Sequence, residues 1–231
     1  MINKIRSLPI FGKSNILSFT GGFVDVVSFV ALFGLFANHM TGNIVMIGVS
    51  VSNSSNGLVS KLLAIPVFII TVAATRLVIT HYGSQSRRLI ILLYMVQASF
   101  LTLFMLSGWH ASPILNPDNW LALLTGIFAV MAMGIQNAQS RLIEPGQVPT
   151  TIMTGNMTQA VIDFVDIVTK NPVTANDAAK RFAIYGPAIV AFMIGAIAGA
   201  FLYKYWYFAC LFVPILALIY LATTHPKVLP A

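Results

Sequence analysis

Charge is scarce in this chain, and acidic charge scarcest: six Asp and Glu stand against 13 Lys and Arg and four His in 231 residues. So few carboxylates leave little for metal coordination or acid–base chemistry, and no metal or cofactor is expected. A single cysteine, Cys210, excludes a disulfide within the chain and any Cys-rich metal site. It lies inside an apolar run and reads as packing. The HExxH, GxSxG, Walker-lysine and dinucleotide patterns are missing. No catalytic residue is assigned, and the chain reads as other than an enzyme. The net charge of +7 is no nucleic-acid signal, because the basic residues sit at segment ends rather than on one face.

What fills the chain instead is hydrocarbon: 58% apolar residues and a mean hydropathy of +0.86. The fold class is all-α integral membrane, within one membrane domain over 1–231. Six segments are long enough to cross ~30 Å of lipid at ~1.5 Å per residue: about 16–37, 61–80, 88–107, 120–140, 182–202 and 204–222. The first follows Lys4, Arg6 and Lys13 but is too long for a signal-peptide core and lacks a cleavage motif, so it reads as a retained span. With both termini cytoplasmic, eleven basic residues, from Lys4 to Lys227, fall inside and only Lys61 and Lys204 outside. Trp109, Trp120, Tyr203, Tyr205, Trp206 and Tyr207 read as interface anchors. Pro66, Pro187 and Pro214 should mark kinks. Gly195-x-x-x-Gly199, followed by Ala200, offers a small-residue packing face.

The most informative feature is a repeat. Met40-Thr41-Gly42-Asn43 recurs as Met153-Thr154-Gly155-Asn156, 113 positions later, and Gly21 falls on Gly134 at the same offset. Short apolar runs, 43–51 and 157–168, follow the two copies and read as half-helices. Three spans per copy is an odd number, so the halves, about 14–110 and 118–225, are expected as inverted three-helix repeats, each broken at its MTGN turn. A polar break duplicated in this way points to a binding site in transporters. Thr is a good N-cap, Gly and Asn accept unusual backbone shapes, and a helix starting there presents unpaired N–H groups to an anion or dipole. The same turns could equally be kept to pack the fold.

Asp25 lies mid-span, where a carboxylate is costly unless paired, hydrated or protonated. The second copy has Ala138 there, beside Gln136 and Asn137, so the central site is electrically lopsided. An ionised Asp25 would repel an anion, which a proton-coupled carrier resolves by protonation. His39 precedes the first turn, where Ile152 stands in the second. Gln97 should bond another helix. Asp163 and Asp166 read as a solvated face, with Asp166 spaced for Lys170. Arg141 and Glu144 flank the approach to the second turn as a candidate gate.

The run Gly21-Gly22-Phe23-Val24-Asp25, Ser28-Phe29, His39-Met40-Thr41-Gly42-Asn43, Gly134-Ile135-Gln136-Asn137-Ala138 and Thr151-x-x-Thr154-Gly155 resembles the YoaK-like family of small bacterial membrane proteins. The resemblance covers nearly the whole chain. It implies about six spans and no established activity. The reading is therefore an uncharacterised multi-pass protein of the bacterial inner membrane: a secondary transporter or channel for a small anionic or dipolar solute. Its path would hold Asp25, His39, Thr41, Gly42, Asn43, Gln136, Asn137, Thr154, Gly155 and Asn156. Its partners would be the bilayer and that solute, and 25 kDa favours a homodimer. The rival is a non-transporting structural, lipid-interacting or assembly protein. An intramembrane enzyme would need a reactive cluster around Asp25 and His39.

Overall fold

The computed structural model describes residues 12–53, 57–83, 86–143, 148–170 and 173–224. Every regular element among them is helical: α1 (Lys13–Ala31), α2 (Met40–Asn53), α3 (Leu58–Tyr82), α4 (Arg87–Ala111), α5 (Trp120–Leu142), α6 (Met153–Val168), α7 (Ala175–Trp206), a 3-10 turn (Tyr207–Leu211) and α8 (Phe212–Thr224). Side chains start two of them. Ser86 Oγ accepts from Leu89 N–H at 3.4 Å, and Asn119 Oδ1 from Leu121 N–H at 3.1 Å.

Five segments are long and apolar enough to cross a membrane. The expected fifth and sixth spans fall in one composite stretch, Ala175–Thr224, divided where Tyr207 takes φ +47°. The expected fifth span, about 182–202, starts earlier than its apolar run, because α7 already begins at Ala175. At 32 residues α7 is about 48 Å long, well beyond the hydrocarbon thickness. Pro66 and Pro187 sit inside continuous helices, whereas Pro214 occupies the first turn of α8, where a missing N–H costs nothing. Lys4, Arg6 and Lys227 lie outside the described residues.

Helix packing inverts the pattern of a water-soluble bundle. α1 buries Asn15, Ser18, Thr20, Asp25 and Ser28, while α3 exposes Ile69, Ile70 and Leu77. Lipid accepts apolar side chains but satisfies no polar group, so the polar helix goes inside. The largest interface joins α1 to α7. A Cβ on Gly195 would stand 2.1 Å from Phe19 O, one on Gly199 2.7 Å from Phe23 O, and one on Gly22 2.2 Å from Phe192 O. The Gly195–Gly199 face therefore brings two backbones into contact, and the shared advance along both chains makes α1 and α7 parallel.

The 3-10 turn packs on α4 and α7, and the remaining pairs between α-helices are α4 with α5, α6 with α7, α3 with α5, α4 with α8, α2 with α3, and α1 with α8 and α5. Of these α-helix pairs, only α2–α3 and α6–α7 stay within one half of the chain. The halves are interlocked. Under the exchange of α1 with α5, α2 with α6, α3 with α7 and α4 with α8, this set of helix pairs maps onto itself.

Candidate functional site

The two MTGN elements lie inside helices, as the first turns of α2 and α6. The expected N-cap role of threonine is therefore corrected. Ile152 occupies the cap of α6 with no side-chain bond, and His39 O accepts the first helical bond of α2, from Asn43 N–H at 3.1 Å. The asparagines reach backwards. Asn43 Oδ1 accepts from Phe36 N–H at 2.9 Å while its Nδ2 donates to Phe36 O at 2.7 Å. Asn156 Nδ2 donates to Pro149 O at 2.8 Å, and proline has no N–H to return. Both amides also lie 3.7 Å from the sulfur of the tetrapeptide's own methionine, Met40 or Met153. Phe36 and Pro149 are themselves 113 positions apart. The asparagines are buried, whereas Thr41, Thr154 and Gly155 are exposed and Gly42 half-buried. Each asparagine thus braces the loop entering its half-helix.

Between those loops runs a buried polar seam. The Asp25 carboxylate accepts from Asn38 N–H at 2.8 Å and meets His39 Nδ1 at 2.6 Å. Ser28 Oγ, one turn on, donates to Asp25 O at 2.9 Å and accepts from Ala37 N–H at 3.1 Å. One turn of α1 thereby holds residues 37–39. The Asp25 side chain is 6% exposed and that of His39 33%, its ring between Phe36 and Phe192. The hydrogen bond to Asp25 raises the His39 pKa above the ordinary imidazole value against an opposing desolvation.

Asn38 carries the seam into the second half. Its Nδ2 donates to Thr151 O at 3.2 Å, and its Oδ1 accepts from Asn137 Nδ2 at 2.9 Å. Thr151 Oγ1 donates to Asn137 Oδ1 at 2.7 Å. Asn38 and Thr151 are 113 positions apart, so equivalent residues of the two copies touch. A second chain runs from Gln97 Nε2 to Gln136 Oε1 at 2.8 Å, and from Gln136 Nε2 to Leu17 O at 2.8 Å and Thr150 Oγ1 at 3.2 Å.

Of the expected site residues, Asp25, His39 and Asn137 join the seam, Gln136 lies in the neighbouring chain, and Asn43 and Asn156 support the flanking loops. Thr41, Gly42, Thr154 and Gly155 make none of these bonds. Ser28, Asn38, Thr150 and Thr151 are participants to which the sequence reading gave no site role. For Asn38 and Thr151 the signal was the 113 offset, hidden because the two differ in type.

Asp163 corrects another expectation. Far from solvated, it is fully buried on α6, where Arg181 of α7 grips it through Nε at 3.0 Å and through its terminal nitrogen at 2.6 Å. Gln159 Nε2 adds a bond at 3.0 Å. Lys61, expected at an outer end, is buried, with Nζ donating to Phe33 O at 2.8 Å and Gly57 O at 3.1 Å. Glu144 of the candidate gate lies outside the described residues.

A cavity of ≈ 580 Å³ opens at the end of the molecule where α1 and α4 finish, lined by Phe33, Trp109, Tyr203, Trp206 and Tyr207 among others. A pocket of ≈ 20 Å³ lies where α1 begins and α5 ends. Neither is lined by Asp25, Asn43 or Asn156. Among the described residues, no three His, Cys, Asp or Glu side chains gather as a metal site would require.

A bundle of long apolar helices around a buried polar seam defines a multi-pass helical membrane protein. Residues 14–224 match the family model described as "Protein of unknown function (DUF1275)". The chain belongs to that family, consistent with the YoaK-like resemblance. No curated protein and no solved structure matches it.

Proposed function

We propose that the chain is a proton-coupled secondary transporter of the bacterial inner membrane, moving a small anionic or dipolar solute. It would cross the bilayer six times as two inverted three-helix repeats, with both termini cytoplasmic, and act as a homodimer without enzymatic activity. The observation that carries this reading is the Asp25–His39 pair, 2.6 Å apart, at a seam where equivalent residues of the two copies meet. Deep ionisable groups in membrane helices are costly and default to function. With His39 as the imidazolium, both ring nitrogens protonated, the pair carries no net charge and can admit an anion; with the neutral imidazole the carboxylate repels one. The self-mapping set of helix pairs and the bias of basic residues support the inverted arrangement.

The engagement of Asn43 and Asn156 in bracing favours a second reading, a non-transporting scaffold or lipid-interacting protein. The described cavities stop short of Asp25 and of both MTGN turns, an observation that favours this second reading too. Proteoliposomes with an imposed pH gradient separate the two. An acid exterior should drive uptake of at least one member of a panel of small anions and amino acids, and a folded Asp25→Asn variant should lose the coupling. Wild-type protein that moves nothing in either gradient direction would falsify transport and leave the scaffold.

A further inference from the structure

We propose that the cavity where α1 and α4 finish is a binding site for an uncharged aromatic small molecule, of about two fused rings with a hydroxyl at the rim. Its volume of ≈ 580 Å³ falls among those of small-molecule sites, about 300–1,000 Å³. Five aromatic side chains line it: Phe33, Trp109, Tyr203, Trp206 and Tyr207. Such rings hold another ring by offset stacking or edge contact. Their indole N–H and phenol O–H groups can donate to an oxygen on the ligand. Ser112 Oγ also lines the cavity, and since its O–H donates to Gly108 O at 2.8 Å, its oxygen is left to accept. None of the described lining residues is charged. Gly57 borders Phe33, with 3.3 Å between a Cβ built on it and Phe33 Cβ, and the Ser54-Ser55-Asn56 segment that precedes it in sequence has no ionisable group. An ionised ligand would lose water here without meeting a counter-charge, so the site selects a neutral one.

The backbone separates this cavity from an ordinary belt of interfacial aromatics. Two of the three described non-glycine residues at positive φ line it: Phe33 at +53° and Tyr207 at +47°. Phe33 follows the end of α1, where Gly34 N–H reaches back to Phe29 O at 2.9 Å, and glycine is the usual residue at such a helix end. Tyr207, with ψ −138°, lies close to a region almost confined to glycine. It is 62% exposed, so burial in the core does not offset that strain. Glycine at either position would relieve the backbone and delete part of the cavity wall. Membrane anchoring requires no ring on a strained backbone, and Trp120 and Tyr205 can serve it without lining the cavity. The wall is braced from behind as well. Tyr203 meets Phe208 at 5.5 Å, and the buried Phe208 lies over bare Gly108, where a Cβ would stand 2.3 Å from its ring. A ligand would find these rings already in place. The inference does not rest on the transport reading, because the cavity stops short of Asp25.

The test is calorimetric titration of the full chain in lipid nanodiscs at neutral pH, with the heat of empty nanodiscs subtracted. The probe is naphthol, set against ionised naphthoate and the saturated alcohol decahydronaphthol. Naphthol should bind saturably at one site per chain, and each of the other two about tenfold more weakly or not at all. Tyr207→Gly should weaken naphthol binding about tenfold while the melting temperature of the ligand-free protein holds or rises, a combination that a purely structural role for the ring would not give. If Tyr207→Gly loses stability, Trp109→Leu decides, with the same loss of affinity expected. Trp120→Leu, outside the cavity, should bind as the wild type does. Absence of saturable heat, equal binding of naphthoate or of decahydronaphthol, or an affinity unmoved in the folded cavity variants would overturn the proposal.

Discussion

Asn43 and Asn156 occupy identical tetrapeptides but hold their loops unequally. Asn43 makes a donor and an acceptor bond to Phe36, while Asn156 can only donate, because its partner is Pro149. At about 1 kcal/mol per net hydrogen bond, Asn43→Ala should cost about 2 kcal/mol and Asn156→Ala about 1. Unfolding titrations in mixed micelles would resolve the difference, and equal costs would argue against the bracing roles. His39 gives a pH signature. Its pKa is raised by the bond to Asp25, so the native state keeps that proton to higher pH than the unfolded chain does. The resulting stability is complete below about pH 6.5 and is lost as pH rises through the native value. The wild-type melting temperature should fall over that rise, and His39→Gln should flatten the profile. At this scale the sequence exposed Asp25, polar where its neighbours are apolar, and His39 and Asn137 by their places beside the repeated positions. Asn38 and Thr151 were hidden, since a polar residue in a loop carries no contrast.

At the scale of elements, glycine separates packing from freedom. Gly22 faces Phe192 O with no room for a methyl group, whereas nothing lies within 4 Å of a Cβ on Gly155. Gly22→Ala should force α1 away from α7 and cause loss of folded protein in size-exclusion profiles. Gly155→Ala should fold, and the gain in helix propensity should raise stability by up to about 1 kcal/mol. A folded Gly155→Ala variant that loses transport would show that the exposed first turn of α6 acts on solute. Helix periodicity and the Gly-x-x-x-Gly spacing made the α7 face legible. Charge spacing misled at Asp163, because local i, i+3 and i, i+4 rules cannot see a partner on the next helix. Arg181 also lay just ahead of the expected fifth span, about 182–202, although α7 already runs from Ala175.

For the whole molecule, the repeat was legible as a 113-residue offset, but the interlocking was not, because periodicity says nothing of which helix meets which. Most of the principal helix pairs join one half to the other. Separated in the exposed connection between α4 and α5, the first half expressed alone should therefore be degraded. The two halves co-expressed should purify together in equal amounts. A first half that accumulates and resists proteolysis alone would contradict the packing described.

The contact between Gly22 and Phe192 also sets a schedule for synthesis. The first helix meets its main partner only when a segment 170 residues downstream has left the ribosome, roughly 10 to 30 s later at cellular elongation rates. Throughout that interval an acidic helix must remain in lipid, exposed to the machinery that retrieves badly inserted segments. The groups that hold Asp25 are all within 14 residues of it in sequence. They emerge within seconds, so the newborn chain can mask its own most hazardous side chain long before the bundle exists.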